Sequence, residues 1–215
     1  MPIPVDLIIF DFDGTLVNTG DDIADSVNHT LKVLNLPQVA KEEIFTYIGD
    51  GVLKLIERAT GEKCQNLQEQ ALKIFSEHYA LHMLDHAFLY TGVEDVLEHF
   101  GQKRKIILTN KRFVYTRNMA EAMRIIRYFD EIIAADSTPF IKPNPQLIDM
   151  ILERYPVSRH NTVIIGDGVN DIKLAKYAGI KCGGFLGGLG KPDELIALDP
   201  DFTFDHFSEL KTMLF

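Results

Sequence analysis

The chain is short of basic charge, cysteine and long hydrophobic runs, and each shortage excludes a class of protein. Lys and Arg number 22 against 31 Asp and Glu, a formal net charge of −9. A nucleic-acid partner would need a basic footprint to neutralise its phosphates, so none is expected. Only two cysteines are present, Cys64 and Cys182, far apart in sequence. They supply neither a disulfide framework nor a zinc-ligand spacing, and both are expected as free thiols. No apolar stretch approaches the roughly 20 residues a membrane span needs. The N-terminal run has no basic leader or cleavage site, so the expectation is a cytoplasmic protein with no membrane partner. Internal repeats, low-complexity segments and serine-rich linkers are missing as well. His29, His78 and His82 fall on helical patterns as surface or packing residues. His78 and His82 stand four apart, but without the glutamate arrangement of a zinc protease.

What is present is enough for one substantial core and a small second module, at 215 residues and 46% hydrophobic content. The most informative stretch is Val5-Asp6-Leu7-Ile8-Ile9-Phe10-Asp11-Phe12-Asp13-Gly14-Thr15. Its apolar part is too short and unbroken for an amphipathic helix and is rich in β-branched residues, which predicts a central parallel strand. Asp11 then stands at the carboxyl end of that strand, where ligands bind in open α/β sheets. Gly14 allows the backbone to leave the strand sharply and approach a ligand. Taken alone, Asp-x-Asp-Gly also begins calcium loops and ordinary turns.

Three more apolar runs end in residues suited to phosphate chemistry. Lys105–Leu108 leads to Thr109-Asn110-Lys111, Glu131–Ala134 leads through a loop to Lys142-Pro143-Asn144-Pro145, and Thr162–Ile165 leads to Gly166-Asp167-Gly168-Val169-Asn170-Asp171. Helical patterns follow each run, so the strands should be parallel with right-handed crossovers and their polar ends should meet at one sheet edge. Asn144 is expected as the N-cap of the next helix with Pro145 in its first turn. Gly183-Gly184 and Gly187-Gly188 are expected to flank a further strand.

This ordered set resembles the haloacid dehalogenase superfamily, specifically its Mg²⁺-dependent phosphatases. Thr109-Asn110-Lys111, Tyr47-Ile48-Gly49-Asp50-Gly51 and Lys142-Pro143-Asn144-Pro145 look most like the phosphoglycolate phosphatases among them. The resemblance implies a Rossmann-like parallel sheet flanked by helices, residues 1–14 and 91–215, with an inserted helical cap at 15–90. It implies that Asp11 attacks phosphorus and that Asp13 protonates the leaving oxygen and later activates water. It further implies that Asp11, the Asp13 carbonyl and Asp167 hold Mg²⁺, with Asp171 behind them. Thr109, Asn110 and Lys142, with Gly49, Asp50 and Gly51, would meet the substrate, a small phosphorylated metabolite. The protein would be a monomer or homodimer.

Several readings stay open on the residues alone. Asp171 equally suits the first turn of a helix, and Lys111 either lines the pocket or starts the next helix from an exposed position. Lys54 and Arg58, one helical turn apart, offer charge to a small carboxylate or form a solvated face. Helices are expected at Ile23 to Leu34, ending near Pro37, then at Lys41–Tyr47, Val52–Thr60 and Asn66–Met83, with the chain back at the sheet near Thr91-Gly92-Val93. Relatives often carry proline where Thr91 stands. Rival activities are a hydrolytic dehalogenase, which would have no use for Asp13, Asp167 or Mg²⁺, and a phosphomutase. A binding module without turnover is the non-enzymatic alternative. Substrates other than 2-phosphoglycolate would be nucleoside monophosphates, sugar phosphates or pyrophosphate.

Overall fold

A computed structural model describes residues 2–61 and 67–215. The opening apolar run forms β1 (Leu7–Phe10), every residue of which is buried. Successive side chains of a strand face opposite ways. Ile8 and Phe10 accordingly join one apolar cluster while Leu7 and Ile9 join another. A strand covered on both faces needs a continuous apolar run rather than an alternating one, which is the pattern the sequence carries.

From β1 the chain passes through β2 (Val17–Asn18) into α1 (Gly20–Val33), α2 (Lys41–Phe45), α3 (Val52–Thr60) and α4 (Gln68–His82), and returns through β3 (Phe88–Leu89). It continues with α5 (Val93–His99), β4 (Arg104–Leu108), α6 (Phe113–Ala122), β5 (Glu131–Ile133), α7 (Gln146–Arg154) and β6 (Thr162–Gly166). The last elements are α8 (Val169–Ala178), β7 (Lys181–Phe185), α9 (Pro192–Ile196), β8 (Phe202–Phe204) and α10 (Leu210–Met213). Among the described residues the main sheet has the order β5-β4-β1-β6-β7-β8, with every pairing parallel. Phe10 lies opposite Ile107 of β4 and Ile165 of β6. The three central strands therefore end almost flush, and Asp11, Thr109 and Asp167 leave the sheet side by side. The Rossmann-like α/β core expected from the sequence is present.

One face of the sheet is covered by α7, α8 and Leu195 of α9. The other is covered by residues of α5, α6 and α10 and is continuous with the apolar interior of α1, α3 and α4. Helix α1 puts Ile23, Val27 and Leu31 into that interior, a four-residue spacing that keeps one stripe inward. Residues 15–90 thus contain the expected helices, but they also contain β2 and β3, which pair antiparallel and bring the outgoing and returning chains together. Strands of two residues carry no readable periodicity, so the sequence does not announce them.

The expected helix ends shift in several places. The segment after α2 does not continue as a helix to Tyr47. Thr46, Tyr47 and Ile48 instead donate to the carbonyls three residues back, a tightening that leads into Gly49. Helix α1 stops at Val33, with Asn35 in the left-handed region at φ 56°. Helix α4 runs from Gln68 to His82 with Met83 as its C-cap, the end expected, while the expected start at Asn66 lies outside the described residues, as does Cys64. Helix α7 starts at Gln146 with Pro145 at the preceding position, and Asn144 caps it through Oδ1, which accepts from the Gln146 N–H at 3.0 Å.

Gly183 and Gly184 lie inside β7 rather than beside it. A Cβ on Gly183 would stand 2.4 Å from the Phe202 ring of the neighbouring strand. The close approach of that ring, not a turn, is what requires glycine there. Cys182, next to it, is buried and free. Burial pushes its thiol up to about 11, which keeps it protonated and unreactive near neutral pH. Among the described residues no helix is long and apolar enough to cross a membrane.

Candidate active site

The carboxyl edge of β1 makes an abrupt turn immediately after Asp13. The Phe12 carbonyl accepts from the N–H groups of Thr15, Leu16 and Val17, and the Gly14 N–H donates to the Val17 carbonyl at 2.8 Å. Gly14 adopts φ +79°, and a Cβ there would lie 2.2 Å from an Asp167 carboxylate oxygen. Only glycine meets both demands, the left-handed backbone and the contact with the acidic side chain. Thr15 then ties the two strand ends together. Its hydroxyl donates to Asp167 Oδ1 at 2.6 Å and accepts from the Asp167 N–H at 3.0 Å.

Asp11, Asp167 and Asp171 are buried and each offers a carboxylate oxygen within 4.8 Å of the others. Lys142, also buried, stands 2.7 Å from Asp11 Oδ1 and 2.7 Å from Asp171 Oδ1. Asp167 is held by Thr15 on one oxygen, while its other oxygen accepts from the N–H groups of Leu189 and Gly190 at 2.9 and 3.0 Å. Asp171 serves the start of its helix and holds Lys142 at once. Its Oδ2 accepts from the Gly168 N–H at the start of α8, and its Oδ1 holds Lys142.

Burial is the main influence on these groups, because charged forms are penalised away from water. It pushes Asp11 up to about 7, against the lowering effect of Lys142. Asp167 is pushed up to about 6 by burial and by the nearby Asp11 charge, and burial raises Asp171 despite its bond to Lys142. Lys142 loses protonated character to burial but gains more from Asp11 and Asp171, so it stays firmly charged. Three carboxylates against one ammonium leave two negative charges in a buried, all-oxygen setting. That is the donor set of a hard divalent cation such as Mg²⁺, which takes oxygen ligands and retains waters. The residues present therefore fit the metal, which would balance the charge.

The raised values have a measurable consequence. The native state holds protons that the unfolded chain has released between about pH 4 and pH 7, so these groups favour folding in acid and lose that contribution as pH rises through their folded values. Metal binding needs ionised carboxylates and releases their protons. Melting curves with Mg²⁺ and with chelator should show a larger Mg²⁺ stabilisation at about pH 8 than at about pH 5.5. Equal stabilisation at the two pH values would mean the carboxylates are already ionised in acid.

Beside this cluster lies a cavity of about 60 Å³ lined by Asp11, Asp13, Thr109 and Lys111 from the sheet side. Ile48, Gly49, Gly51, Leu55 and Tyr79 line it from the helical insertion. Thr109 is buried at the cavity. Asn110 spends its carboxamide on structure. It donates to the carbonyls of Gly49 and Lys142 and accepts from the Lys142 N–H at 2.9 Å, fastening the two loops together. Asp50 is turned away into an adjoining groove, where it accepts from Asn170 at 2.7 Å and pairs with Arg58. Lys54 is exposed and paired with Glu57 at 2.7 Å, so the pair of cations beyond Gly51 forms mainly a solvated, ion-paired face.

Lys111, left open by the sequence, is half-buried and turns its nearly covered side chain to the cavity. Its ammonium contacts both carboxylate oxygens of Asp13 at 2.9 and 3.2 Å and the Tyr79 hydroxyl at 2.6 Å. Thr19 donates to Asp13 Oδ1 at 2.8 Å. Neither Thr19 nor Tyr79 stands out in the sequence. Thr19 immediately precedes α1 and bonds Asp13 six residues back, while Tyr79 lies within α4, 32 residues from Lys111.

A parallel sheet carrying carboxylates, a hydroxyl and a buried lysine at the ends of its central strands defines an α/β enzyme whose chemistry runs on acidic groups. The family pattern described as haloacid dehalogenase-like hydrolase matches residues 8–185. The chain is 33% identical to a phosphoglycolate phosphatase of Pasteurella multocida over 97% of each chain. It is 31% identical to one of Vibrio parahaemolyticus over 96% of this chain and 94% of that one. A crystal structure described as a predicted phosphoglycolate phosphatase from Haemophilus somnus superposes with a TM-score of 0.92 at 28% identity, covering 97% of each chain. The chain belongs to the haloacid dehalogenase-like hydrolase family.

Proposed function

We propose that this enzyme hydrolyses a small phosphate monoester, 2-phosphoglycolate foremost, by passing the phosphoryl group through Asp11. The observation that carries the reading is the convergence of Asp11, Asp167, Asp171 and Lys142 beside a small cavity that Asp13 also lines. Asp11 attacks phosphorus and the bond to the leaving oxygen breaks, giving an aspartyl-phosphate. Asp13 gives the leaving alkoxide its proton, then takes one from the water that cleaves the acyl phosphate, the same group serving both directions of proton movement. Lys142 and the Thr109 hydroxyl set positive charge and a donor against the non-bridging oxygens. Asp11, Asp167 and the Asp13 carbonyl, with Asp171 behind them, would hold Mg²⁺, and the bound ion would supply further positive charge against those oxygens.

The insertion at 15–90 serves in this reading as a cap that excludes water from the first transfer and limits the leaving group. The cavity is small, and the relatives named phosphoglycolate phosphatases match over nearly the whole chain. Both observations favour a compact ester. A panel of 2-phosphoglycolate, sugar phosphates, nucleoside monophosphates and pyrophosphate, assayed with Mg²⁺ and with chelator, tests the reading. The expected result is metal-dependent turnover with kcat/KM for 2-phosphoglycolate at least about tenfold above the others, roughly 1.4 kcal/mol of preferential transition-state binding. Another ranking would replace the substrate, and no turnover of any ester would overturn the phosphatase reading itself.

A further inference from the structure

We infer that Tyr79 of α4 and Lys111 act together as positioning residues for Asp13, so that the helical insertion sets the orientation of the group that protonates the leaving oxygen. The inference rests on the proposed phosphoryl-transfer reading and adds to it two residues which that chemistry does not itself use.

Tyr79 is 2% exposed and is packed from two sides. Its ring stacks on Phe75 of the same helix at 5.4 Å and meets the edge of Tyr115 from α6 at 5.2 Å. Tyr115 in turn donates its hydroxyl to the Ser76 carbonyl of α4 at 3.2 Å. Packing alone would be served by phenylalanine. A buried hydroxyl costs stability unless it is hydrogen-bonded, and this one accepts from the Lys111 ammonium at 2.6 Å.

An ammonium has three donors and no acceptor. Those of Lys111 are matched by the Tyr79 hydroxyl and the two oxygens of Asp13. The Lys111 side chain is 6% exposed, so a lost partner is not simply replaced by bulk water. With Thr19 fixing Asp13 Oδ1 from the start of α1, the carboxylate is gripped from two helices of the insertion, directly by Thr19 and through Lys111 by Tyr79. Orientation at this level matters because displacement of a reacting group by about 1 Å can cost on the order of a hundredfold in rate.

The test uses the full-length protein with Mg²⁺ and two esters, the alkyl phosphate that the wild type cleaves best and p-nitrophenyl phosphate. An alkoxide needs a proton as it leaves, whereas p-nitrophenolate leaves without one, so only the alkyl ester depends strongly on a placed acid. The readout is the ratio of kcat/KM values, alkyl over aryl, which reports the transfer to Asp11 and not the later hydrolysis. Tyr79→Phe keeps the packed ring and should lower that ratio about tenfold, and Lys111→Met, which keeps the apolar stem, about a hundredfold. The double variant should be no worse than Lys111→Met alone, since residues acting as a unit are not additive. Proportional loss on both esters, or an unchanged ratio in both single variants, would reduce the pair to packing and overturn the inference. A wild type that cleaves neither ester would instead remove the phosphatase reading and the inference with it.

Discussion

Asp11→Asn should abolish phosphate-ester turnover, by at least about a thousandfold in kcat, because on the proposed reading it removes the covalent nucleophile and leaves only binding and electrostatic contributions. The substitution is nearly isosteric, so the fold should persist. Stability supplies a second, independent readout. Asp11 is one of three buried carboxylates facing a single ammonium. Neutralising it removes part of a charge excess that burial makes costly, as the rise of its carboxyl to about 7 reflects. The metal-free variant should therefore melt at a higher temperature than the metal-free wild type at about pH 8, and should respond less to added Mg²⁺. Retained turnover would place the nucleophile elsewhere. A lower melting temperature would mean that the Asp11–Lys142 pair is worth more to the native state than the repulsion it offsets.

The second large effect is expected at Lys142. Its side chain is 2% exposed and bridges Asp11 and Asp171, whose side chains are 11% and 1% exposed. Removing one member of a buried ion-paired set strands the others, at a typical cost of about 3 kcal/mol or more. For a chain of this size that corresponds to a fall of roughly 6 to 12 °C in Tm. Lys142→Met should show a loss of this order at about pH 8, together with loss of turnover. The sign with pH follows from the groups left behind. Without Lys142, Asp11 and Asp171 lose an influence that lowers their values, so both move further up and stay protonated to higher pH in the native state. Protonation removes the unpaired charge. The deficit against wild type should thus shrink towards about pH 5, and chemical denaturation at the two pH values measures it directly. A deficit that does not change with pH would show that the lost contribution is packing of the lysine stem and not charge.

Much of this site is legible in the chain because its reactive groups sit at the ends of strands. An unbroken apolar run such as Leu7–Phe10 marks a strand buried on both faces, and the residue after it necessarily stands at the sheet edge. The same logic locates Thr109 after β4 and Asp167 after β6, and the parallel register makes their convergence follow. Helix α3 is found at Val52–Thr60, the bounds its apolar spacing predicts. The shifted helix ends are of another kind. Asn35 and Gly49 adopt positive φ at 56° and 114°, and the chain departs from helix just before each.

Contacts between distant segments are not legible in this way. Asp50 is a substrate contact by resemblance, and its carboxylate accepts from Asn170 of α8 and pairs with Arg58 of α3 in the adjoining groove. Asn110, a substrate contact by resemblance, lines the cavity, and its carboxamide also joins the Gly49 and Lys142 loops. By itself the sequence determined which strands are buried, their parallel arrangement and the carboxylates and lysine delivered to one edge, because apolar periodicity and strand ends are local signals. Tertiary structure alone decided that the Lys111 side chain is nearly covered against Asp13 and Tyr79, that Asp171 serves both its helix and Lys142, and that Gly183 must admit the Phe202 ring. Those outcomes depend on atoms brought within a few ångströms by the packing of separate elements, a distance that no pattern along the chain encodes.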